Sequence, residues 1–296
     1  MPAWFIPVIA ATFIYGAINF LYKVAAERQL HSDRIVNMVG AAVALLSLLT
    51  LTVAQRGNPF PVFTRGVFLY AFFNGLFFGL GALTKFAALR HAPAGTVFPL
   101  NRLNNMMVML AGFLFFGDRP SVVQAAGLAL TILVIALVSL DRPDSSGGHN
   151  FPHRKRGVVC ALLSATCTAA SMTVGKLLAD TQENRLAYIC CSYFLVFLIT
   201  SVMTTVRKGS LPRGGRTGWM PVLVFGLMIG GLNYGGYFLV LKGFGMGPIS
   251  LVQAILSMSM VIPIALSCVV YRERLSPANK LAIVLAVISA ALISSP

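Results

Sequence analysis

The chain has 296 residues, 57% of them hydrophobic and only 10% charged, with a mean hydropathy of +0.81. A soluble domain is about a quarter charged and has no means of hiding this much apolar surface, so the composition excludes a soluble globular fold and points to a polytopic, all-α membrane protein. The net charge of +15 does not indicate nucleic acid: the basic residues sit between apolar segments, as loop charges do, and no basic run is interleaved with aromatics.

Ten apolar segments follow one another, at about residues 3–26, 35–54, 67–91, 94–116, 122–140, 157–179, 186–206, 219–244, 248–271 and 278–293. Most reach the ~20 residues that a helix needs to cross ~30 Å of hydrocarbon, and continuous apolarity at this length argues against strands. Residues 1–11 carry no basic n-region, so the first segment is expected to be a retained span, not a cleaved signal. The connections are short and marked by Gly57-Asn58-Pro59, Ala92-Pro93, Gly117-Asp118-Arg119-Pro120 and Gly247-Pro248. The longest polar stretch, at 141–156, divides the chain into units 1–140 and 157–296 with five segments each. Its Arg154-Lys155-Arg156 run suits topology determination and contact with anionic lipid.

The two units repeat. A shift of 155 residues places Pro93 on Pro248, Gly75 on Gly230, Gly81 on Gly236, Asp118-Arg119 on Glu273-Arg274 and Ser121 on Ser276. A shift of 153 places Lys23 and Glu27 on Lys176 and Asp180. An odd number of spans per repeat inverts the second copy, an architecture of secondary transporters whose substrate site lies near the midplane between repeats. The connections after odd-numbered segments hold thirteen Lys and Arg against five after even-numbered ones. The positive-inside rule then expects both termini outside the cytoplasm.

The fourth segment carries Asn101, Arg102, Asn104 and Asn105 in its interior, and the third carries Lys85. Charged groups at membrane depth are costly and normally face a bundle interior or an aqueous cavity. On a continuous helix Phe98, Arg102, Asn105 and Met109 would share a face, and the 155 shift sets Gln253 on Phe98 and Ser257 on Arg102. An asymmetric cationic lining suits a carboxylate, a phosphate or a zwitterion, since Arg grips either anion bidentately. Asn19, Tyr22, Asn233 and Tyr237 are further candidates for the lining, with Tyr15, Asn74 and Tyr234 beside them. Lys23 and Lys176 are candidates for a gate or for helix-end interactions. All eight acids, Glu27, Asp33, Asp118, Asp141, Asp144, Asp180, Glu183 and Glu273, fall at segment ends or in connections. The buried carboxylate of a proton-coupled cation antiporter is therefore missing from the pattern. The glycine pairs Gly75/Gly79, Gly226/Gly230 and Gly231/Gly235 are expected to let helices approach closely. The five cysteines have no metal-ligand spacing, no catalytic motif stands out, and neither a metal nor a cofactor is expected.

The pieces Ala92-Pro93-Ala94-Gly95 with Phe115-Phe116-Gly117-Asp118-Arg119-Pro120-Ser121, and Gly247-Pro248-Ile249-Ser250 with Tyr271-Arg272-Glu273-Arg274-Leu275-Ser276, resemble the drug/metabolite transporter superfamily, most closely its EamA-like exporters. That family usually has Glu where Asp118 stands. The resemblance implies ten spans and transport of amino acids, sugars, nucleotide-sugars, phosphorylated sugars or drugs. It also implies cytoplasmic termini, against the charge count. The expectation is a secondary transporter, not an enzyme, in a bacterial inner membrane as a monomer or weak dimer. Its small anionic or zwitterionic metabolite, preferably amino-acid-like and exported, would pass a cavity lined by segments one, three, four, six, eight and nine. Efflux of drugs or lipophilic cations, and exchange of sugar phosphates or nucleotide sugars, stay open as alternatives.

Overall fold

The computed structural model describes residues 2–28, 30, 32–92, 97, 100–140, 154–206, 219–271 and 277–295. Within them the helices are α1 (Phe5–Glu27), α2 (Ser32–Ala54), α3 (Arg65–His91), α4 (Leu103–Phe115), α5 (Val122–Leu140), α6 (Arg154–Ala179), α7 (Arg185–Val206), α8 (Trp219–Phe244), α9 (Ile249–Ser257), α10 (Val261–Tyr271) and α11 (Pro277–Ile293). A 3₁₀ turn, Met258–Met260, joins α9 to α10, and no strand occurs among the described residues. Seven helical stretches, with Ile249–Leu266 counted across that turn, are long and apolar enough to cross a bilayer; Leu103–Phe115, Val122–Leu137 and Lys280–Ile293 are shorter apolar helices.

Local chemistry sets several helix starts. The Thr64 hydroxyl accepts the Val67 N–H at the head of α3. Ser121 and Gln124 exchange side-chain and backbone bonds at the head of α5, a reciprocal cap. Asn184 Oδ1 accepts the Leu186 and Ala187 N–H groups at the head of α7. The end of α4 turns on Gly117, whose φ of 67° lies in the left-handed region that glycine enters without steric cost.

Helix pairing follows a two-fold scheme. α3 packs on α6 as α8 packs on α1, and α3 packs on α7 as α8 packs on α2. α2 with α7, α4 with α9, and α5 with α11 each map onto themselves when the halves are exchanged. Those three self-related crossings are antiparallel. Asn37 at the start of α2 donates to Phe197 O (3.2 Å), Thr200 Oγ1 (3.0 Å) and Ser201 Oγ (2.7 Å) near the end of α7. Cys190, near the α7 start, reaches Ala44 O deeper in α2. Thr131 and Ser289 share a 2.8 Å bond, while Gln124 bonds Ser295 O at the other end of α5 and α11. Only a two-fold axis crossing the helices at right angles relates a helix antiparallel to its own counterpart.

Small residues mark the crossings, as packing without a hydrophobic drive between helices requires. A Cβ on Gly81 would meet Thr168 at 3.0 Å, and one on its shift-mate Gly236 would meet Ile14 at 3.0 Å. A Cβ on Gly75 would meet Ser192 O at 2.8 Å, and one on Gly230 would meet Ala42 at 2.6 Å. The shift of 155 read from sequence therefore joins glycines at equivalent crossings. Gly231 and Gly235 differ from expectation: a Cβ at either meets nothing within 4 Å, so that pair is no helix contact.

Candidate functional site

Both helices expected to run unbroken through the centre are interrupted there. Residues 100 and 101 are helical, Arg102 is a turn, and α4 starts at Leu103 without a side-chain cap. The Asn105 N–H bonds Arg102 O at 3.1 Å, a tighter i→i+3 step. Across the two-fold, α9 ends at Ser257, and the Val261 N–H bonds Met258 O in the same i→i+3 manner. Pro263, two residues further on, has no N–H to continue a regular ladder. Shift-mates Arg102 and Ser257 thus both stand at a helix break. The single-helix face through Phe98 is superseded, and Phe98 itself lies outside the described residues, as do Pro93, Glu273 and Ser276.

The breaks meet through amides. Gln253 Nε2 donates to Asn105 Oδ1 at 2.8 Å, joining the second repeat to the first. Gln253 is 4% exposed, and among the described residues its Oε1 has no hydrogen-bond partner; nor does the buried Asn101 Oδ1. Arg102 stands between Asn101 and Asn105, near enough to Lys85 of α3 for the two positive charges to act on one another. Among the described residues no hydrogen bond or ion pair reaches the Arg102 side chain. The described carboxylates serve elsewhere, at one end of the bundle: Asp118 at Ser250, Asp180 at Lys176 and Glu183 at Thr64. Ser257 Oγ bonds Ala254 O of its own helix at 2.6 Å.

Tyrosines build a second polar cluster. Tyr237 donates to Asn74 Oδ1 (3.4 Å), which also accepts from Ser171 (2.6 Å), and Tyr237 and Tyr188 share a 3.2 Å bond. The Tyr193 hydroxyl donates to Asn233 Oδ1 at 3.3 Å, and its ring stands edge-on to that of Tyr237. Tyr15 is close to Tyr193 and Tyr237, and Tyr22 to Tyr193. Asn19 is exposed on α1 and joins none of these bonds. Tyr188 and Tyr193 come from the seventh segment, absent from the expected lining. Their signal was position: Tyr193 sits inside a 22-residue apolar helix, not at its edge where interfacial aromatics gather.

Lys176 is not part of this cluster. It is 8% exposed at the end of α6, where its ammonium donates to Asp180 (2.7 Å) and to Phe244 O (2.6 Å) and Gly247 O (3.3 Å) at the end of α8. The Phe116 ring lies 6.0 Å away. Lys176 therefore satisfies carbonyls that a helix C-terminus leaves open. Lys23 is half-buried on α1; the Glu27 side chain lies outside the described residues.

A two-fold bundle of apolar helices, broken at matching points around a cationic centre, defines a membrane transporter. The chain belongs to the EamA-like transporter family, whose model matches residues 2–140 and again 155–295. It is an integral membrane protein of a family that transports small molecules. One solved crystal structure is similar over 99% of this chain and 96% of its own, with a TM-score of 0.76 at 17% identity, which shows a shared fold. No curated protein matches the chain.

Proposed function

We propose that this protein is a ten-span secondary transporter of two inverted five-span repeats, moving a small anionic or zwitterionic organic metabolite by alternating access. An amino-acid-like solute, outward transport and a bacterial inner membrane are the favoured particulars. The carrying observation is Arg102. It stands at the start of a half-helix, beside Lys85, with no carboxylate among the described residues bonded to it. Arg carries a fixed whole charge in a fork that matches carboxylate and phosphate geometry, so an anionic group is the matching ligand. Antiparallel self-crossings support the inverted arrangement, and paired breaks between repeats are where such transporters bind substrate. A lipophilic cation finds no described carboxylate at this level.

Purified protein in liposomes tests the class. Uptake of labelled neutral amino acids and organic anions should exceed that of quaternary ammonium dyes. Dye flux that dominates, and that persists in Arg102→Ala, would assign the protein to cation efflux instead.

A further inference from the structure

In a two-fold bundle most crossings should come in pairs, and some do. Under the shifts of 153 and 155 residues, Trp4 and Gly247 correspond to Gly157 and Ala92. A Cβ on Gly247 would meet Trp4, and one on Gly157 would meet Ala92, each at 2.5 Å. The α1–α8 and α6–α3 crossings are thus closed alike. Other crossings occur in one copy only. α6 and α7 both pack on α8, whereas their counterparts α1 and α2 make no comparable packing with α3 among the described residues. When inverted repeats exchange two arrangements, the crossing closed in one copy alone marks the end of the bundle that is shut.

Lys176 stands at that crossing. Its ammonium joins the end of α6 to Phe244 O and Gly247 O at the end of α8, and the Phe116 ring of the first repeat lies 6.0 Å away. Lys23, its counterpart on α1, is half-buried, against 8% exposure for Lys176. One turn before Lys23, Asn19 is exposed. It lies about 120° around α1 from Phe13, off the exposed apolar stripe of Ile6 and Phe13. The counterpart of Asn19, Met172, is half-buried against the core. An amide exposed away from the apolar stripe marks an opening beside α1.

We infer that Lys176 and Lys23 are alternating latches. Lys176 shuts the α6–α8 end in the conformation seen here, and Lys23 bonds the corresponding α3 carbonyls, of Leu89 and Ala92, when the opposite end shuts. The inference rests on the proposed alternating access and adds the bonds that hold each state. Lys176 is a positioning residue, acting on the solute path only through the α6–α8 crossing. A bond made in one state alone shifts the balance between states, while a cap made in both shifts nothing.

Spin-label distances in the full chain in nanodiscs test it, with the five cysteines replaced by alanine. One label pair, Thr181 with Met246, spans the shut end; its counterpart pair, Arg28 with His91, spans the other. In protein with both lysines the first pair should be the shorter and narrower. Lys176→Met should lengthen it and shorten the second pair, moving the ratio of the two populations at least about tenfold, because bonds from a charged donor are lost in one state only. Lys176→Arg should return the distances towards the starting ones. Lys23→Met added to Lys176→Met should shorten the first pair again. Distances that Lys176→Met leaves unchanged, in protein whose unfolding temperature falls, would make Lys176 a static cap and overturn the latch. A double variant that matches Lys176→Met would remove Lys23 from it. In both cases the Arg102 reading, which rests on solute uptake, stands. Two pairs that lengthen or shorten together would instead overturn the alternating access itself. If Lys176→Met does not fold, Lys176→Gln, which drops the charge and keeps an N–H donor, is measured in its place with the same outcomes.

Discussion

Asp118 in the first repeat caps a helix of the second: its Oδ2 accepts the Ser250 N–H at 2.8 Å and the Ser250 hydroxyl at 2.6 Å. Pro248 opens that helix, and Ser250 lies in its first turn, where N–H groups lack intrahelical partners. The acidic turn after the fourth segment thus ties the repeats together. Gly112 makes room, since a Cβ there would sit 2.6 Å from the carboxylate. Asp118→Ala should cost about 1–3 kcal/mol, the range for a charged cap. Thermal unfolding in detergent measures it, and Asp118→Asn should fall between wild type and alanine. An unchanged midpoint for Asp118→Ala would remove the cap from the account.

Lys176 makes a parallel prediction at the same end of the bundle. Lys176→Met strands Asp180 and two carbonyls of the α8 end. A loss of about 1.5–3 kcal/mol is expected, with Asp180→Asn costing less because the Asp180 side chain is 43% exposed and hydrated. Equal losses from the two variants would show that the ion pair, and not the carbonyl cap, dominates.

Neighbouring glycines should behave oppositely. Gly230→Ala forces its methyl to within 2.6 Å of Ala42 on α2, so α8 must shift and stability should fall by 1–3 kcal/mol as an order of magnitude. Gly231→Ala meets open space within a helix and should be neutral or gain about 0.5–1 kcal/mol. The two unfolding midpoints, taken side by side, check whether α2 and α8 cross at Gly230.

Much of this fold is written in spacing. Gly75, Gly81, Gly230 and Gly236 fell in one register because equivalent crossings need equally small residues. Lys176 and Asp180 were visible as an i,i+4 pair, and the pair forms. The breaks at Arg102 and Ser257 were not visible, because apolar runs read as continuous helix whether or not one hydrogen bond shifts to i→i+3. Gly231 and Gly235 misled for a related reason: a small-x₃-small pair states what a face permits, while the neighbour decides whether it is used. The bond from Gln253 to Asn105 joins residues 148 apart and carries no local signature.

The central proposal turns on Arg102, and its most direct measurement is counterflow of a labelled amino acid into proteoliposomes carrying wild type, Arg102→Lys or Arg102→Gln. Removing one partner of a desolvated charge pair costs about 2–5 kcal/mol, so Arg102→Gln should lower uptake at least about thirtyfold. Arg102→Lys, keeping the charge without the fork, should fall in between. Uptake by Arg102→Gln within about twofold of wild type, in protein that unfolds at the wild-type temperature, would contradict the assignment of the substrate's carboxylate to this residue.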